Sequence, residues 1–275
     1  MCQPVRIAVL GSINRDLVIQ CVTLPRPGET IIAESMQEFH GGKGANQAVA
    51  AARLGAEVAM IGRVGDDAFA NILVGNLSRE GVDTRYIRRQ SDCPSGLAIV
   101  SVDRGGENAI MVVPGANSQV TARDAENAAD MIADADVLLV QLEVATEAVV
   151  AALTIAKQHG VRTVLDPAPM VTNPPDALLQ VDWICPNRTE AGALLGRDIL
   201  SVEDACRAAR DLCDRGVENA VVTLGSSGAV WSNGEQAEHT PACRVDVVDT
   251  TAAGDAFAAA LAMACVETDS TSQVI

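Results

Sequence analysis

The chain has 275 residues, a length that suits either one large domain or two domains of average size. Hydrophobic residues make up 48% of it and charged residues 20%, so a sizeable core can form and wholesale disorder is excluded. Lys and Arg number 20 against 36 Asp and Glu, which gives a formal net charge of −16. Because phosphate backbones and anionic lipids repel such a chain, we expect no nucleic-acid partner and no membrane partner.

Cysteine usage indicates a reducing compartment. The eight cysteines form no C-x-x-C pair, and the three histidines give no zinc-ligand spacing. The apolar run near the N-terminus is too short for a signal peptide, and the longest uncharged apolar stretch, residues 256–266, is too short to cross a bilayer. We therefore expect a cytoplasmic protein.

Short apolar runs alternate along the chain with longer segments of helical periodicity. The runs predict strands at 5–11, 58–62, 136–142, 162–166, 182–186 and 219–225, and the other segments predict helices at 44–55, 67–80, 121–134, 145–159, 201–215 and 253–266. Capping boxes at Thr121–Asp124 and Ser201–Asp204 support two helix starts. The alternation predicts a single α/β domain over residues 1–275, with a central, mostly parallel sheet and helices on both faces.

Two segments depart from this alternation. Residues 15–38 predict two strands around a turn at 25–28, and residues 96–114 predict a hairpin that turns at 104–107. Polar residues recur between apolar ones in both segments, which is typical of a sheet with one solvent-exposed face. We expect a small, separate β-sheet that forms a lid over a site or a contact between subunits. A surface decoration without a function is the alternative.

Asn14 and Asp16 form the first of three candidate constellations. They follow the first predicted strand, where the ligand crevice of an α/β sheet lies. Residues two apart in an extended segment point to the same side, so this amide and this carboxylate can bind neighbouring hydroxyl groups together. The alternative is an ordinary turn, in which such a pair is also common.

A glycine loop, residues 41–47 (GGKGANQ), is the second constellation and opens the predicted helix 44–55. It matches neither the Walker A pattern nor G-x-G-x-x-G, yet glycines at a helix start let backbone N–H groups approach a ligand. Lys43, within the loop, is one of only two lysines in the chain. It either binds a ligand or is a solvated side chain.

The third constellation, residues 248–255 (VDTTAAGD), leads into the apolar helix 253–266. Small residues there expose the N-terminal amides of the helix, which suit a phosphate group. Asp255 lies in the first turn of that helix. It either complements the helix dipole or accepts a proton from a hydroxyl that attacks the phosphate.

The order of several motifs reveals a family resemblance. The motifs are GSINRD (11–16), GGKGANQAVAAARLG (41–55), QLE (141–143), DPAP (166–169), PNRTE (186–190), TLGSSG (223–228) and VDTTAAGDAF (248–257). Each is moderately specific alone, whereas their shared order along nearly the whole chain is highly specific. The sequence resembles the ribokinase-like, or PfkB-type, carbohydrate kinases, and a ribokinase-like α/β fold with a β-sheet lid is the fold that this resemblance implies.

The resemblance also implies roles for individual residues. Asp255 would be the catalytic base, and the sugar pocket would consist of Asn14, Asp16, Gly42, Lys43, Asn46, Glu143 and Asp255. Amides of Ala252, Ala253 and Gly254 would form an anion hole, and the nucleotide side would consist of Asn187, Thr223, Gly225, Ser226, Gly228 and Gly254. Asn187 and Glu190 would hold Mg²⁺ through waters, and Asp249 and Thr251 would supply half of a monovalent-cation site.

The implied reaction is ATP-dependent phosphorylation of D-ribose at its 5-hydroxyl group, giving ribose 5-phosphate and ADP. Mg²⁺ is the implied cofactor, K⁺ a candidate activator, and the lid would pair two subunits into a homodimer. Two features depart from the family: Ala252 stands where many members have Gly, and members continue beyond the position of Ile275, so we expect a truncated C-terminal end. The alternatives are a sister kinase for another sugar, a sugar acid or a nucleoside, and a catalytically impaired sugar-binding homologue.

Overall fold

A computed structural model describes residues 3–170, 174–247 and 249–267 of the chain. The strands in these ranges are β1 (Arg6–Leu10), β2 (Asn14–Gln20), β3 (Ser35–Gly41), β4 (Glu57–Gly65), β5 (Asp83–Gln90), β6 (Gly96–Val102), β7 (Asn108–Val113), β8 (Val137–Gln141), β9 (Arg162–Asp166), β10 (Trp183–Ile184), β11 (Asn219–Thr223), β12 (Ala229–Ser232) and β13 (Ala237–Thr240). The helices are α1 (Lys43–Arg53), α2 (Ala70–Arg79), α3 (Ala122–Asn127), α4 (Ala129–Ala133), α5 (Thr146–His159), α6 (Arg188–Leu195), α7 (Val202–Asp214) and α8 (Ala253–Glu267).

The central sheet has nine strands in the order β13-β12-β11-β10-β9-β8-β1-β4-β5. Neighbours from β11 to β5 pair in parallel, and β12 and β13 extend one edge in antiparallel fashion. Alternating side chains of β1 point to opposite faces: Ile7 and Val9 pack with α1, α2 and α8, whereas Ala8 and Leu10 pack on the side of α3 to α7. The predicted parallel sheet with helices on both faces is therefore confirmed.

A separate four-stranded sheet has the order β3-β2-β6-β7. The two predicted hairpin segments form its antiparallel pairs, β2 with β3 and β6 with β7, and a parallel pairing of β2 with β6 joins them. The connection between β2 and β3 runs over residues 21–34 and is longer than the predicted turn. We call these four strands the small sheet. Its first strand begins at Asn14, only four residues after β1 ends, so it starts at the carboxyl edge of the central sheet.

Several predicted elements were wrong or missing. The predicted helix 121–134 is divided into α3 and α4 at Ala128, and the predictions contained no counterpart of β5, β12, β13 or α6. The sequence of β5, DTRYIRRQ, has four charged residues among eight and lacks an apolar run, and β5 lies at an edge of the central sheet. Both predicted capping boxes are present. No helix in the described part of the chain is long and apolar enough to cross a membrane.

Candidate active site

Five separate segments meet at the carboxyl edge of the central sheet. Ser12, just after β1, donates its hydroxyl proton to Glu143, just after β8. Lys43, at the start of α1, reaches Asp166, the last residue of β9. α8 begins at the same edge and brings Asp255 within hydrogen-bonding distance of α1. Ends of neighbouring parallel strands are the usual place for a ligand in such sheets, so this convergence marks the candidate site.

Asn14 is held in place by Asn117, a residue that the sequence analysis missed. The Nδ2 atom of Asn117 donates to Asn14 Oδ1 at 2.7 Å, and its Oδ1 accepts from the amide of Ile13 at 2.9 Å. Both asparagines are buried. A Cβ atom on Gly96 would lie 2.1 Å from Asn14 Oδ1, so the pair requires glycine there. The only sequence signal for Asn117 is a polar residue soon after the second predicted hairpin.

Asp16 has a buried carboxylate that the protein leaves incompletely satisfied. Its Oδ1 atom is buried and has no hydrogen-bond partner within the described residues. Burial raises the pKa of Asp16 to about 6, and the carboxylates of Glu143 and Asp255 add to the effect. A Cβ atom on Gly41 would lie 1.9 Å from Asp16 Oδ2, so this glycine makes room for the carboxylate. An acceptor in this state suits a ligand that brings hydroxyl donors.

Arg15 lies between these two residues but points away from them. Its guanidinium carbon is 3.6 Å from the centroid of the Phe69 ring, and its NH2 atom is 2.7 Å from Glu38 Oε2. The alternation of a strand explains this, because Asn14 and Asp16 share one side of β2 and Arg15 takes the other. Its charge is therefore engaged outside the candidate site.

The glycine loop lies directly against the end of β1. Gly42 has a φ of 90°, and a Cβ atom there would lie 2.7 Å from the amide nitrogen of Asn14. A Cβ atom on Gly44 would lie 2.7 Å from backbone atoms of Gly11 and Ser12. Glycines are thus needed here for close approach of two backbones rather than for flexibility.

Glu143 fastens the loop from the other side. Its Oε2 atom accepts from the backbone amide of Lys43 at 3.2 Å as well as from the hydroxyl of Ser12. The predicted sugar-binding role of Glu143 is therefore combined with a structural one, because one of its oxygens fixes the start of α1.

Lys43 is the cation at the centre of the site. Its Nζ atom lies 3.2 Å from Asp166 Oδ2 and 3.5 Å from Asp255 Oδ1. Burial alone lowers the pKa of Lys43, but the charges of Asp166 and Asp255 outweigh it and raise the pKa above its usual value. Burial raises the pKa of Asp166 to about 6 even though Lys43 opposes the shift. Asp166 belongs to the DPAP motif, and the sequence analysis gave it no role.

Asp255 lies in the first turn of α8 and is only 5% exposed. Its Oδ2 atom accepts from Asn46 Nδ2 at 2.9 Å. The side chains of Asn46 and Lys43, two of the predicted sugar residues, are partly exposed and reach Asp255 from the same turn of α1. The structure therefore brings the predicted base, the predicted lysine and the predicted asparagine together.

The start of α8 matches the predicted anion hole in part. Ala252 has a φ of 59°, in the left-handed region where glycine is favoured, which accounts for glycine being common at this position in the family that the sequence resembles. The amide of Ala253 donates to Thr250 O at 3.2 Å. Ala252 and Gly254 are exposed, and their amides make no hydrogen bond to other described residues. They are the two N–H groups suited to an anion.

Asp249 and Thr251, the predicted half of a monovalent-cation site, bind each other. Asp249 Oδ1 accepts from the amide of Thr251 at 2.8 Å and from its hydroxyl at 2.7 Å. These bonds lower the pKa of Asp249, so its carboxylate is charged and exposed. The other oxygen, Oδ2, is the one suited to a cation.

Asn187 and Glu190 form a capping box at the start of α6. Asn187 Oδ1 accepts from the amide of Glu190 at 2.9 Å, and the amide of Asn187 donates to Glu190 Oε2 at 2.8 Å. Glu190 also acts electrostatically on Lys43 and Asp166, which places it beside the site. Its Oε1 accepts no hydrogen bond from other described residues, so a carboxylate oxygen remains that fits a water bound to Mg²⁺.

The turn after β11 lies next to this capping box. Thr223 pairs with Asn187 through an isolated parallel bridge. Gly225 and Gly228 have φ values of 59° and 91°, and Ser226 is exposed between them. Five of the six predicted nucleotide-side residues are therefore neighbours, whereas Gly254 lies at the start of α8. Within the described ranges, no group of three or more Asp, Glu, His or Cys side chains is arranged to hold a metal ion.

Comparison with protein families decides what this arrangement belongs to. The model of the pfkB family carbohydrate kinases matches residues 5–275. The chain belongs to the PfkB family. A carbohydrate kinase is a phosphotransferase, and the convergence of a carboxylate, a lysine and a helix N-terminus at one edge of the sheet is compatible with that chemistry.

Individual PfkB relatives agree with this assignment. The ribokinase of Haemophilus influenzae is 39% identical over 269 residues, 98% of this chain and 88% of the relative. The deoxyribokinase of Salmonella typhi is 39% identical over 252 residues, 91% of this chain and 82% of the relative. The structure of Arabidopsis thaliana ribokinase complexed with ribose and ATP has a TM-score of 0.90 and 33% identity, covering 99% of this chain and 89% of that one. The names of these relatives are divided between ribose and deoxyribose.

The close approach of Gly44 to β1 generates a prediction on stability. Gly44→Ala should lower the free energy of unfolding by about 1–3 kcal/mol, because the added methyl group meets backbone atoms that cannot move aside. Gly75→Ala is the matched control: Gly75 is also a helical glycine but has open space around it, so alanine should stabilise α2 by up to about 1 kcal/mol. Urea titration measures both values, and equal effects would contradict the steric argument.

Proposed function

We propose that the protein transfers the γ-phosphoryl group of ATP to the 5-hydroxyl group of D-ribose, giving ribose 5-phosphate and ADP. The observation that supports this best is the position of Asp255, in the first turn of α8, with Lys43 and Asn46 at its carboxylate and exposed amides directly before it. Similarity to the ribokinase of Haemophilus influenzae and to the Arabidopsis structure with ribose and ATP supports the choice of substrates.

The sugar is bound by polar side chains from the start of the small sheet and from α1. Asp16 Oδ1 is a buried acceptor with no partner among the described residues, so it accepts from a hydroxyl group without first losing another bond. Asn14, fixed by Asn117, presents its Nδ2 as a donor. The remaining residues of the pocket that we propose are Gly42, Lys43, Asn46 and Glu143.

The phosphoryl step is an in-line displacement. The 5-hydroxyl oxygen forms a bond to the γ-phosphorus atom while the bond from that atom to the bridging oxygen of ADP breaks, and the hydroxyl proton passes to Asp255. Amides at Ala252 and Gly254 stabilise the charge on the transferred group, aided by the dipole of α8. Lys43 keeps its charge throughout because two carboxylates surround it.

Mg²⁺ would neutralise charge on the ATP phosphates when bound. Glu190, through its free Oε1 atom, and Asn187 would hold its water ligands, while Thr223, Gly225, Ser226, Gly228 and Gly254 would lie along the nucleotide. Asp249 and Thr251 would contribute to a K⁺ site.

Two alternative substrate classes are less well supported. A sugar acid or sugar phosphate requires an additional cation, but Arg15 is engaged by Glu38 and Phe69, and Arg104 is paired with Glu34. A nucleoside is best bound by aromatic stacking, and Phe39 is the one Phe, Tyr or Trp among the described residues that line the cavity beside Asn46. 2-Deoxyribose remains the serious competitor, since a deoxyribokinase is 39% identical.

We also propose that the small sheet is a lid over the sugar pocket and pairs two copies of the chain into a homodimer. Ile110, Met111, Val112 and Val113 are consecutive in β7 and all exposed, so both sides of this edge strand present apolar groups. Met36 on β3, at the opposite edge, is 60% exposed. Such an apolar surface on one small sheet suits burial against a second copy.

Kinase activity is tested by ADP release from Mg-ATP and D-ribose in potassium buffer. We expect turnover by the parent protein, whereas Asp255→Asn should lower kcat by at least about 10²-fold with little change in ribose affinity, because only the proton acceptor is lost. Parallel assays with 2-deoxy-D-ribose determine which pentose has the higher kcat/KM. Equal turnover of parent and variant would remove Asp255 as the base, and ribose binding without turnover would indicate a sugar-binding homologue.

Ribose affinity should depend on pH. Because burial raises the pKa of Asp16 to about 6, the carboxylate takes up a proton and becomes a weaker acceptor as the pH falls below that value. The carboxyl group of Asp16 has a pKa of about 6 in the folded protein and 3.8 in the unfolded chain, so its protonation between these pH values favours the folded state. A loss of ribose affinity in this range therefore does not result from unfolding caused by Asp16. Calorimetry should show weaker, pH-independent binding for Asp16→Asn. If Asp166→Asn abolishes the pH dependence of ribose binding instead, the titrating group is Asp166 and not Asp16.

The homodimer is tested by light scattering on eluting protein. Ile110→Glu combined with Met111→Glu should convert a dimer into a monomer, because each change places a carboxylate in the buried apolar surface. Leu200→Glu is the control, as Leu200 is 78% exposed and lies outside the small sheet. A monomeric parent, or a dimer that survives both charges, would overturn the proposed interface.

A further inference from the structure

Gln47 lies on the buried side of the candidate site, in contact with Asp166 and Asp255, and is not among the residues that we assign to the sugar or to the nucleotide. It follows Asn46 on α1 but is 0% exposed, whereas Asn46 is partly exposed and lines a cavity of about 530 Å³ beside the small sheet. Successive residues on a helix differ by about 100° in direction. The two amides therefore approach Asp255 from different sides, Asn46 from the cavity and Gln47 from the interior.

The amide nitrogen of Gln47 joins two carboxylates. Nε2 donates to Asp166 Oδ2 at 2.8 Å and to Asp255 Oδ1 at 3.1 Å, so each of its two hydrogens has a different carboxylate as acceptor. Its Oε1 accepts from Gln141 Nε2 at 2.5 Å, and Gln141 is also fully buried. The opposite orientation of this amide would set its oxygen against two carboxylates, so Gln141 and the carboxylates together fix which end faces Asp255.

We propose that Gln47 is a positioning residue for Asp255, which it holds by bridging that carboxylate to Asp166. The inference rests on the proposed function, in which Asp255 is the base. Asn46 binds Oδ2 of Asp255, whereas Gln47 and Lys43 bind its Oδ1. The orientation of the Asp255 carboxylate therefore depends on the donors at Oδ1. A group that filled the same space without an N–H would not supply this constraint.

The charge balance around the bridge explains why a neutral double donor is needed. Among the described residues, Lys43 from α1 is the single cation facing Asp166 and Asp255, while Asp16 from β2 and Glu190 from α6 add negative charge. The thiol of Cys185, beside Asp166, is neutral because burial raises its pKa. Two close carboxylates tend to share one proton, and donors to their charged forms oppose this. Gln47 supplies such donors without adding charge.

The first test is Gln47→Met, which keeps the length of the side chain and removes the donor. We expect kcat with ribose to fall about tenfold or more, because the base is misdirected, while the dissociation constant of ribose stays within about threefold. The acid limb of the pH profile of kcat/KM should move to higher pH, because Asp166 loses a hydrogen bond that favours its charged form. Gln158→Met, at an exposed glutamine on α5, should leave all three quantities unchanged.

A double substitution separates positioning from general structural damage. In an Asp255→Asn background, Gln47→Met should cause no more than about twofold further loss of kcat, because Gln47 acts through the carboxylate that is already absent. An equal loss in both backgrounds would show a merely structural role and overturn the inference. If Gln47→Met does not fold, Gln141→Met provides a second test, because it removes only the hydrogen bond to Gln47 Oε1. This variant should lower kcat and move the acid limb to higher pH, both by smaller amounts than Gln47→Met.

Carbon-13 NMR of the aspartate carboxyl groups distinguishes this inference from the proposed function. In a titration of the parent and of Gln47→Met, the carboxyl signal of Asp166 should change at higher pH in the variant, because Asp166 loses the hydrogen bond from Gln47. This readout needs no turnover. An unchanged titration would overturn the inference about Gln47 even if the protein is an active kinase. A shifted titration without turnover would instead contradict only the proposed reaction.

Discussion

The ion pairs of Lys43, which is partly exposed, with the buried carboxylates of Asp166 and Asp255 are the interactions on which the site depends. Nζ lies 3.2 Å from one carboxylate and 3.5 Å from the other, and this single cation faces more carboxylates than it can neutralise. Burial raises the pKa of Asp166 to about 6, and the negative charges of Glu190 and Asp255 add to the effect. Amide donors supply what a second cation would otherwise provide. In the reaction that we propose, the phosphate would therefore be attracted by backbone amides rather than by surplus basic side chains.

Lys43 reaches this position only because the glycine loop lies against the end of β1. Gly42 and Gly44 let two backbones approach more closely than any side chain permits, and Glu143 fastens the amide of Lys43 from β8. Gly41 makes the same kind of room for the carboxylate of Asp16. One short loop therefore sets the position of the cation, of the start of α1 and of the acceptor that we assign to the sugar.

Local structure and proposed function share residues at several points. The capping box of Asn187 and Glu190 starts α6 and uses only one oxygen of the Glu190 carboxylate. The turn at Asp249 and Thr251 precedes α8 and exposes its first amides. Asn14 belongs to a strand of the small sheet and is also bound by Asn117. In each case a bond that stabilises the fold also directs a polar group toward the proposed ligand.

The sequence alone was enough to predict the architecture and to select most of the residues of the candidate site. Apolar runs and helical periodicity are local signals, so the parallel sheet, both hairpins and two capping boxes could be predicted from them. β5 and α6 were missed because an exposed edge strand and a short helix lack a strong apolar pattern. Only the tertiary structure revealed Asn117, Asp166 and Gln47 as parts of the site. Their contacts span roughly a hundred residues or more of sequence, and such pairings leave no local pattern.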